Sequence, residues 1–582
     1  MKNLFVLFLI LETNILFGQT VQRTWATYFG EEGQVTVNDE VIDGEGNIYI
    51  VGDAVNSFNS YPLTTPNAYQ PTIDGGNDGF LVKFNPQGEL VWGTYVGGSQ
   101  GDQIFSIAIN RDNQLVLLGI TGSSSGIADS TAYISTLNFS QDFFLVSFDL
   151  LGTRLWGTYS GLGYELEGYG NQTNVIADFS GSIYTITNVV SQNAGTNGTF
   201  QSNYTNNFSV ISKFSPTGYK IWSTYYGIHN SAITAIDIGV EGLYVAGMCF
   251  DCPEQPFDGS NLNAYFATSG CYQQSPYPGN NIINQCADAF LSKFNSDGQR
   301  EWSTYIGGSS FDYIQKNALK VVGTDVYVTG VQSGFGNNMA TQGCYQNING
   351  GVPFLAKFDN LGQKLWGTYI GLNNYTNGGF TYPSISNDET GNVYVHGGGI
   401  ILNNIATPDA YQPTTSITNQ NDGYVIKFSP SGTRLWGTYY GGTFADFVKK
   451  ILFNDNYFYF TGYTKSQQNM TTPGAFDTDY GNSGNSSDGL YYIARFDPNL
   501  ASQQNQLQDT AIFPNPNNGT FTISNLKKES YIAIYDVLGK KVHEQSIVNN
   551  QVVTIKAISK GIYFAKIKSG DQVYKTEKII IE

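Results

Sequence analysis

The chain is poor in the residues that most catalytic and metal chemistry relies on. Its 582 residues include 3 His, 5 Cys and 4 Met. His229 and His396 stand alone in sequence and His543 lies near the C-terminus. Neither a histidine-based metal site nor a His-centred acid–base pair has the partners it needs. Charged residues make up 13%, half the usual fraction of roughly 25%, which argues against helices clothed in Glu and Lys. The formal charge is −18, whereas nucleic-acid binders carry fields of Lys and Arg. No stretch reaches the roughly 18 consecutive apolar residues of a membrane-spanning helix. There is no G-x-S-x-G elbow, P-loop, H-E-x-x-H motif or EF-hand loop.

Aromatic residues, by contrast, reach 14%, with 40 Tyr, and Gly numbers 67. That composition suits strands joined by tight turns. At the N-terminus, Lys2 precedes the apolar run Leu4–Leu11, which Glu12, Thr13 and Asn14 then break. The run is too short to span a bilayer and reads as an export signal over residues 1–19, cut near Gly18/Gln19.

All 7 tryptophans begin the same phrase: Trp25, Trp92, Trp156, Trp222, Trp302, Trp366 and Trp436 are each followed by x-Thr-Tyr. The gaps are 67, 64, 66, 80, 64 and 70 residues, an internal repeat with a period of about 68. Each unit also carries a phrase ending in a cation and Phe, as in Lys83-Phe84 and Lys427-Phe428 (Ser147 replaces the cation before Phe148). A Tyr-rich strand usually closed by Gly ends at Gly52, Gly119, Gly247, Gly330, Gly397 and Gly462, but at Thr187 in one unit. A weaker alternating segment precedes it, such as 104–109.

These are four strands per unit, labelled A to D, with D the Trp strand. Turns such as Asn85–Glu89 join C to D as hairpins. Seven units of four antiparallel strands describe a seven-bladed β-propeller over residues 20–498. Trp25 has no Lys-Phe strand before it, and Arg495-Phe496 has no Trp strand after it. The N-terminal strand is therefore expected to complete the last blade, so the fold class is all-β, a propeller closed by its own N-terminus. The phrases 64–70, 268–273, 341–346, 407–412 and 472–476, together with the units Ile42–Gly98 and Ile385–Gly442, resemble the bacterial β-propeller (SBBP) repeat family. The resemblance covers about 23–498 and implies an extracytoplasmic location.

Residues 499–509 are polar and Gln-rich, a linker. Residues 510–582 hold 10 Lys against 6 acids, a compositional step that marks a domain boundary. Their short alternating segments predict a small Ig-like β-sandwich. Pro514-Asn515-Pro516, Gly519, Tyr535-Asp536, Gly539-Lys540, Gly561-Ile562-Tyr563 and the basic-apolar end resemble the type A C-terminal sorting domain of the type IX secretion system. That resemblance implies a Gram-negative exporter, contact with the type IX machinery, removal of the tail, and release or surface attachment.

Of the cysteines, Cys249, Cys252, Cys271 and Cys286 cluster in the one stretched unit and read as local disulfide candidates in an exported chain. Cys344 stands at the same place in its phrase as Cys271. Asp102, Asp312 and Asp446 each follow Gly-Gly-Ser/Thr just before strand A. Asp78, Asp422, Asp488 and Asp288 sit at the start of strand C. Features repeated blade after blade first read as turn caps; the functional alternative is a cation or ligand site near the channel mouth. Glu165 and Glu167 depart from the repeat and offer a local acidic site. The B–C loops are long and rich in Tyr and amides, and the insert 248–287, with Tyr272 and Tyr277, is the candidate for a specific contact. No cofactor is called for, although Ca2+ is compatible with the repeated aspartates. The expected function is that of a monomeric, exported binding or adhesion scaffold for glycan or protein. The alternatives are a polysaccharide hydrolase or lyase using channel-mouth carboxylates, and an envelope component without a ligand.

Overall fold

The computed structural model describes residues 21–498 and 511–582, apart from 56–62, 165–172, 251–264, 277–286, 333–338, 372–382, 416–421, 481–488 and further segments of five residues or fewer. The expected export signal, 1–19, and the expected linker, 499–509, therefore lie outside the described residues. Every regular element among those described is a β-strand. One compact unit is Arg23–Phe496 and the other contains Asp497–Glu582.

Among the described residues the large unit holds seven antiparallel sheets. The first comprises Val35–Ile42, Ile48–Val55, Asn77–Phe84 and Leu90–Val96. The second comprises Asp102–Ile109, Gln114–Thr121, Asp142–Asp149 and Arg154–Tyr159. The third, fourth, fifth and sixth begin at Asn174, Ser231, Asp312 and Ser384 and end at Tyr226, Ile306, Tyr369 and Tyr440. The seventh takes Asp446–Asn454, Tyr457–Thr464 and Leu490–Pro498 from one end of the chain and Val21–Phe29 from the other. Each sheet is bonded to the next. The links are Asn38 Nδ2 to Ile104 O (2.8 Å), Val175 N to Ser106 Oγ (3.2 Å), Ile233 N to Ser209 Oγ (3.1 Å), Thr234 Oγ1 to Ile314 O (2.7 Å), Ile385 N to Asn317 O (2.9 Å) and Ile451 N to Ser386 Oγ (3.4 Å). Lys449 Nζ to Asn38 O (2.8 Å) then returns to the first sheet.

The repeated phrases have separate mechanical roles. In the first, second, fourth and seventh sheets, strand A carries a β-bulge, between Val37 and Asp39, Ile104 and Ser106, Ile233 and Ala235, and Val448 and Lys450. The bulge brings a strand A carbonyl against strand B, where a Cβ on Gly52, Gly119, Gly247 or Gly462 would strike it. The third sheet has a regular A–B register and a threonine, Thr187, in that place. The cation of the Lys-Phe phrase lies over a strand B tyrosine, as Lys83 does over Tyr49 (5.1 Å) and Lys427 over Tyr394 (5.1 Å). Where Ser147 replaces the cation, its cross-strand partner is Val116, so the pair changes together.

The Trp phrase works between sheets. Trp25, Trp92, Trp222, Trp302 and Trp366 donate their indole N–H to Pro86, Leu150, Ser296, Asn360 and Pro430 carbonyls in the C–D turn of the next sheet, at 2.8–3.2 Å. The ring lies on the turn's glycine. Gly432, for example, has φ +83° and a Cβ there would stand 3.0 Å from the Trp366 indole. Replacing Gly432 by Ala should therefore cost about 2 kcal/mol, read as a lowered urea midpoint with an unchanged slope. The Thr of the phrase pins the B–C loop: Gln70 N donates to Thr94 Oγ1 (2.9 Å), Gln412 N to Thr438 Oγ1 (2.9 Å) and Asp477 N to Thr27 Oγ1 (2.8 Å). Trp25 and Thr27 thus make on the seventh sheet the contacts that the other copies make on theirs.

The C-terminal unit has a three-stranded sheet, Ala511–Phe513, Thr520–Ser524 and Gln551–Thr554. A four-stranded sheet is built from Lys541–Ile547, Ser530–Asp536, Gly561–Ser569 and Gln572–Ile581, in that order. Ile512, Phe521, Ile523 and Val553 from the first share one core with Ile532, Ile534, Ile567 and Ile579 from the second.

Candidate functional site

The bulged A strands gather a cluster of charge that no repeat phrase contains. Asp39, on the first sheet, accepts from Lys450 Nζ (2.8 Å) of the seventh and from Ser106 Oγ (2.7 Å) of the second. Lys316, of the fifth sheet's A region, reaches Asp39 Oδ2 at 3.8 Å and donates to Phe105 O at 2.7 Å. Glu40 accepts from Thr461 Oγ1 (2.8 Å) and faces Lys449 Nζ (3.4 Å). Burial by itself would raise the Asp39 carboxyl, but Lys450, Lys316 and Lys449 outweigh it and hold it well below the usual carboxylate range. Burial, with Lys449 and Lys450 nearby, pushes Lys316 down to about 8 against the pull of Asp39. Lys316 therefore ties the fifth sheet to the first and second, with the seventh beside them. Both carboxylates are paired with lysines.

His396 lies in the same region, fully buried. Its Nδ1 is 3.1 Å from Val448 O and its Nε2 3.1 Å from Ser386 Oγ. Burial lowers it to about 4, so it is neutral in the fold. The unfolded chain takes up that proton below its ordinary value of about 6.5, so the stability His396 contributes is lost as the pH falls from 6.5 towards 4. Between pH 7 and pH 4 the wild type should lose about 3 kcal/mol more than His396→Asn does. Equal losses in urea denaturation would contradict this.

The sequence-predicted residues fall in different places. Asp102, Asp312 and Asp446 are buried at the boundaries between sheets, not around the Asp39 cluster. Asp102 Oδ2 accepts from Gly98 N (2.7 Å) and Ser123 Oγ (2.9 Å); Asp446 Oδ2 accepts from Gly442 N (2.7 Å) and Ser466 Oγ (2.9 Å). Burial raises all three, Asp446 to about 7. Tyr272 is half-buried, edge-on to Phe358 of the next sheet (5.7 Å) with Lys364 Nζ above it (4.7 Å); it clasps a boundary and is not an open contact. Cys271 carries a free thiol, its Sγ 3.3 Å from Gln273 O, where a disulfide was expected; Cys344 is likewise free. The two occupy equivalent turns of different sheets. Cys249 is buried on strand B of the fourth sheet. Glu165, Glu167, Tyr277, Cys252 and Cys286 lie outside the described residues. Sequence reasoning missed Asp39, Glu40, Lys316, Lys449 and Lys450, whose segments repeat most weakly.

Two open clefts stand among the B–C loops and turns. One, of about 440 Å³, is lined by Tyr69, Gln70, Asp74, Gly97, Gly98 and Ser125 among others. The other, of about 390 Å³, includes Cys344, Tyr345, Trp366, Gly432 and Arg434, with the Arg434 guanidinium over the Tyr345 ring at 5.1 Å.

Residues 511–582 match the family described as the secretion system C-terminal sorting domain. The chain is thus an all-β, exported protein, secreted or held at the cell surface. No helix among the described residues is long and apolar enough to cross a membrane. Over 150 residues the chain is 25% identical to an uncharacterized WD repeat-containing protein of Acanthamoeba polyphaga mimivirus, a match covering 24% of this chain and 10% of that protein. Among solved structures it is similar to PorZ, a bacterial surface component of the type-IX secretion system of Porphyromonas gingivalis (11% identity, 94% of this chain, 82% of that one, TM-score 0.22). Synechocystis apocarotenoid oxygenase (10% identity, 69% and 71%, TM-score 0.32) and Trypanosoma rangeli sialidase (8% identity, 96% and 87%, TM-score 0.31) are also similar. At such scores the fold rests on the sheets described above.

Proposed function

We propose that residues 20–498 form a closed seven-bladed propeller that acts, as a monomer, as a non-catalytic binding scaffold for glycan or protein at the cell surface. In this reading residues 1–19 are removed on export, 499–509 link the propeller to the tail, and 510–582 engage the type IX machinery. The tail match supports export, and the unbroken series of bonds from each sheet to the next supports the ring. The observation that carries the non-catalytic reading is the state of the acids. Asp39 and Glu40 are matched by lysines, and the repeated aspartates are buried between sheets. A glycosidase needs two reachable carboxyls about 5–5.5 Å apart, or somewhat further for inversion. The open clefts instead present Tyr69, Tyr345, Trp366 and amide side chains, which suit stacking on sugars or extended peptides. Glycan-array and surface-protein binding by the full chain should find a saturable ligand, weakened by Tyr69→Ala or Tyr345→Ala. Binding to nothing on either platform would favour a purely structural envelope role, and release of reducing ends from a polysaccharide would restore the enzyme reading.

A further inference from the structure

At three boundaries two aspartates, 24 residues apart in sequence, come together: Asp78 with Asp102, Asp288 with Asp312, and Asp422 with Asp446. In each pair one begins strand C of a sheet and the other strand A of the next, and both lie against a glycine of the D–A turn. A Cβ on Gly97 would stand 2.5 Å from Asp78 Oδ1 and 2.8 Å from Asp102 Oδ2; on Gly307 it would stand 2.7 Å from Asp288 Oδ1 and 2.8 Å from Asp312 Oδ2. Gly441 is likewise flanked by Asp422 and Asp446. A glutamine completes each arrangement. Gln70 donates to Asp78 Oδ2 (2.5 Å) and accepts from Gly97 N (2.9 Å). Gln412 donates to Asp422 Oδ2 (2.9 Å) and accepts from Gly441 N (3.1 Å).

At the first two of these boundaries the donors leave a carboxylate oxygen bare. Asp78 Oδ1 and Asp312 Oδ1 are buried with no hydrogen-bond partner, on residues 0% and 1% exposed. A buried oxygen left in this state costs free energy unless something positive meets it. The other boundaries show how this chain otherwise fills the position. Asp142, at the second sheet's strand C, gives its two oxygens to Ser160 Oγ (2.7 Å), Gly161 N (2.8 Å), Leu162 N (3.1 Å) and Gly163 N (3.0 Å). Between the third and fourth sheets the two positions are Ser209 and Ser231. Acids are thus covered at Asp142 and, in the third pair, at Asp446, whose Oδ1 accepts from Thr464 Oγ1 and whose Oδ2 accepts from Gly442 N and Ser466 Oγ, whereas Asp78 and Asp312 each keep a bare oxygen.

We infer that the Asp78–Asp102 and Asp288–Asp312 pairs are sites for a hard divalent cation, Ca2+ by the chemistry of the donors, each bridging two neighbouring sheets. Among the described residues no third acid, His or Cys joins them. Backbone carbonyls and water must supply the other ligands, which Ca2+ accepts readily.

The test is Ca2+ binding by chelator-treated full-length protein in equilibrium dialysis, with thermal unfolding in parallel. Two ions per chain are expected, half-saturating at roughly 0.1–1 mM as in extracellular modules, with a saturable rise of several degrees in Tm. Asp78→Asn and Asp312→Asn should each lower the stoichiometry by one. If either variant fails to fold, Tb3+ replaces it as probe on the wild type. Its emission should be sensitised by Tyr95 and Tyr159, which lie near enough to feel the charges of Asp78 and Asp102, and quenched by added Ca2+. The inference is overturned by unchanged stoichiometry in the Asn variants, which would mean diffuse surface binding. It is equally overturned by the absence of Ca2+ binding or Tb3+ emission at millimolar ion, which would leave a shared proton between the two carboxyls.

Discussion

Deleting residues 21–30 is expected to loosen the seventh sheet before any other part of the molecule. The deletion removes a whole strand from a four-stranded sheet and exposes the edge of Leu490–Pro498. It also removes Ala26, Tyr28 and Phe29, each at most 1% exposed. Tyr28 OH donates to Ser466 O at 2.7 Å, and Trp25 donates to Pro86 O at 2.9 Å on the first sheet. Burying one tryptophan contributes at most about 4–6 kcal/mol by area, and the lost strand adds to that. A fall in Tm of about 10 °C or more should result, since each kcal/mol lost lowers Tm by about 2–4 °C in large domains. Limited proteolysis should cut first within 457–498. A variant with wild-type Tm and an uncut seventh sheet would contradict the account.

Asp39→Ala is the second large effect expected. The side chain is the acceptor shared by Lys450, Ser106 and Lys316, and its removal leaves two lysines in the interior without their carboxylate. Breaking a buried ion cluster in this way costs about 3–5 kcal/mol. Lys316→Met should cost less, because Asp39 keeps Lys450 and the methionine replaces much of the buried stem. Asp39→Asn, which keeps the volume and removes the charge, separates a charge cluster from simple packing: its urea midpoint should fall nearly as far as that of Asp39→Ala, and a midpoint near wild type would mean packing alone.

Much of the fold was legible because the repeated residues touch one another. Trp, Thr and the turn glycine recur together since the indole rests on that glycine and the hydroxyl holds the loop. The exceptions are legible afterwards as pairs. Ser147 faces Val116 where other sheets put a cation on a tyrosine. Between the seventh and first sheets Phe476 packs edge-on to Phe84 (5.2 Å), and Leu90 takes the place held elsewhere by the cation that covers the loop tyrosine. The Asp39 cluster was not legible. Asp39, Lys316 and Lys450 come from the segments with the weakest pattern and are hundreds of residues apart, so only contacts between sheets distant in sequence make them neighbours. The aspartates were visible one by one, but their pairing was not, because it crosses from one sheet to the next.

Hydrogen exchange on the full chain, read by mass spectrometry, tests the closure most directly. Amides in 24–29 should be protected as strongly as those in 457–464 and 490–496, and all three should open together as denaturant is raised. Rapid exchange at 24–29 while the other two segments stay protected would show that the N-terminal strand does not complete the seventh sheet.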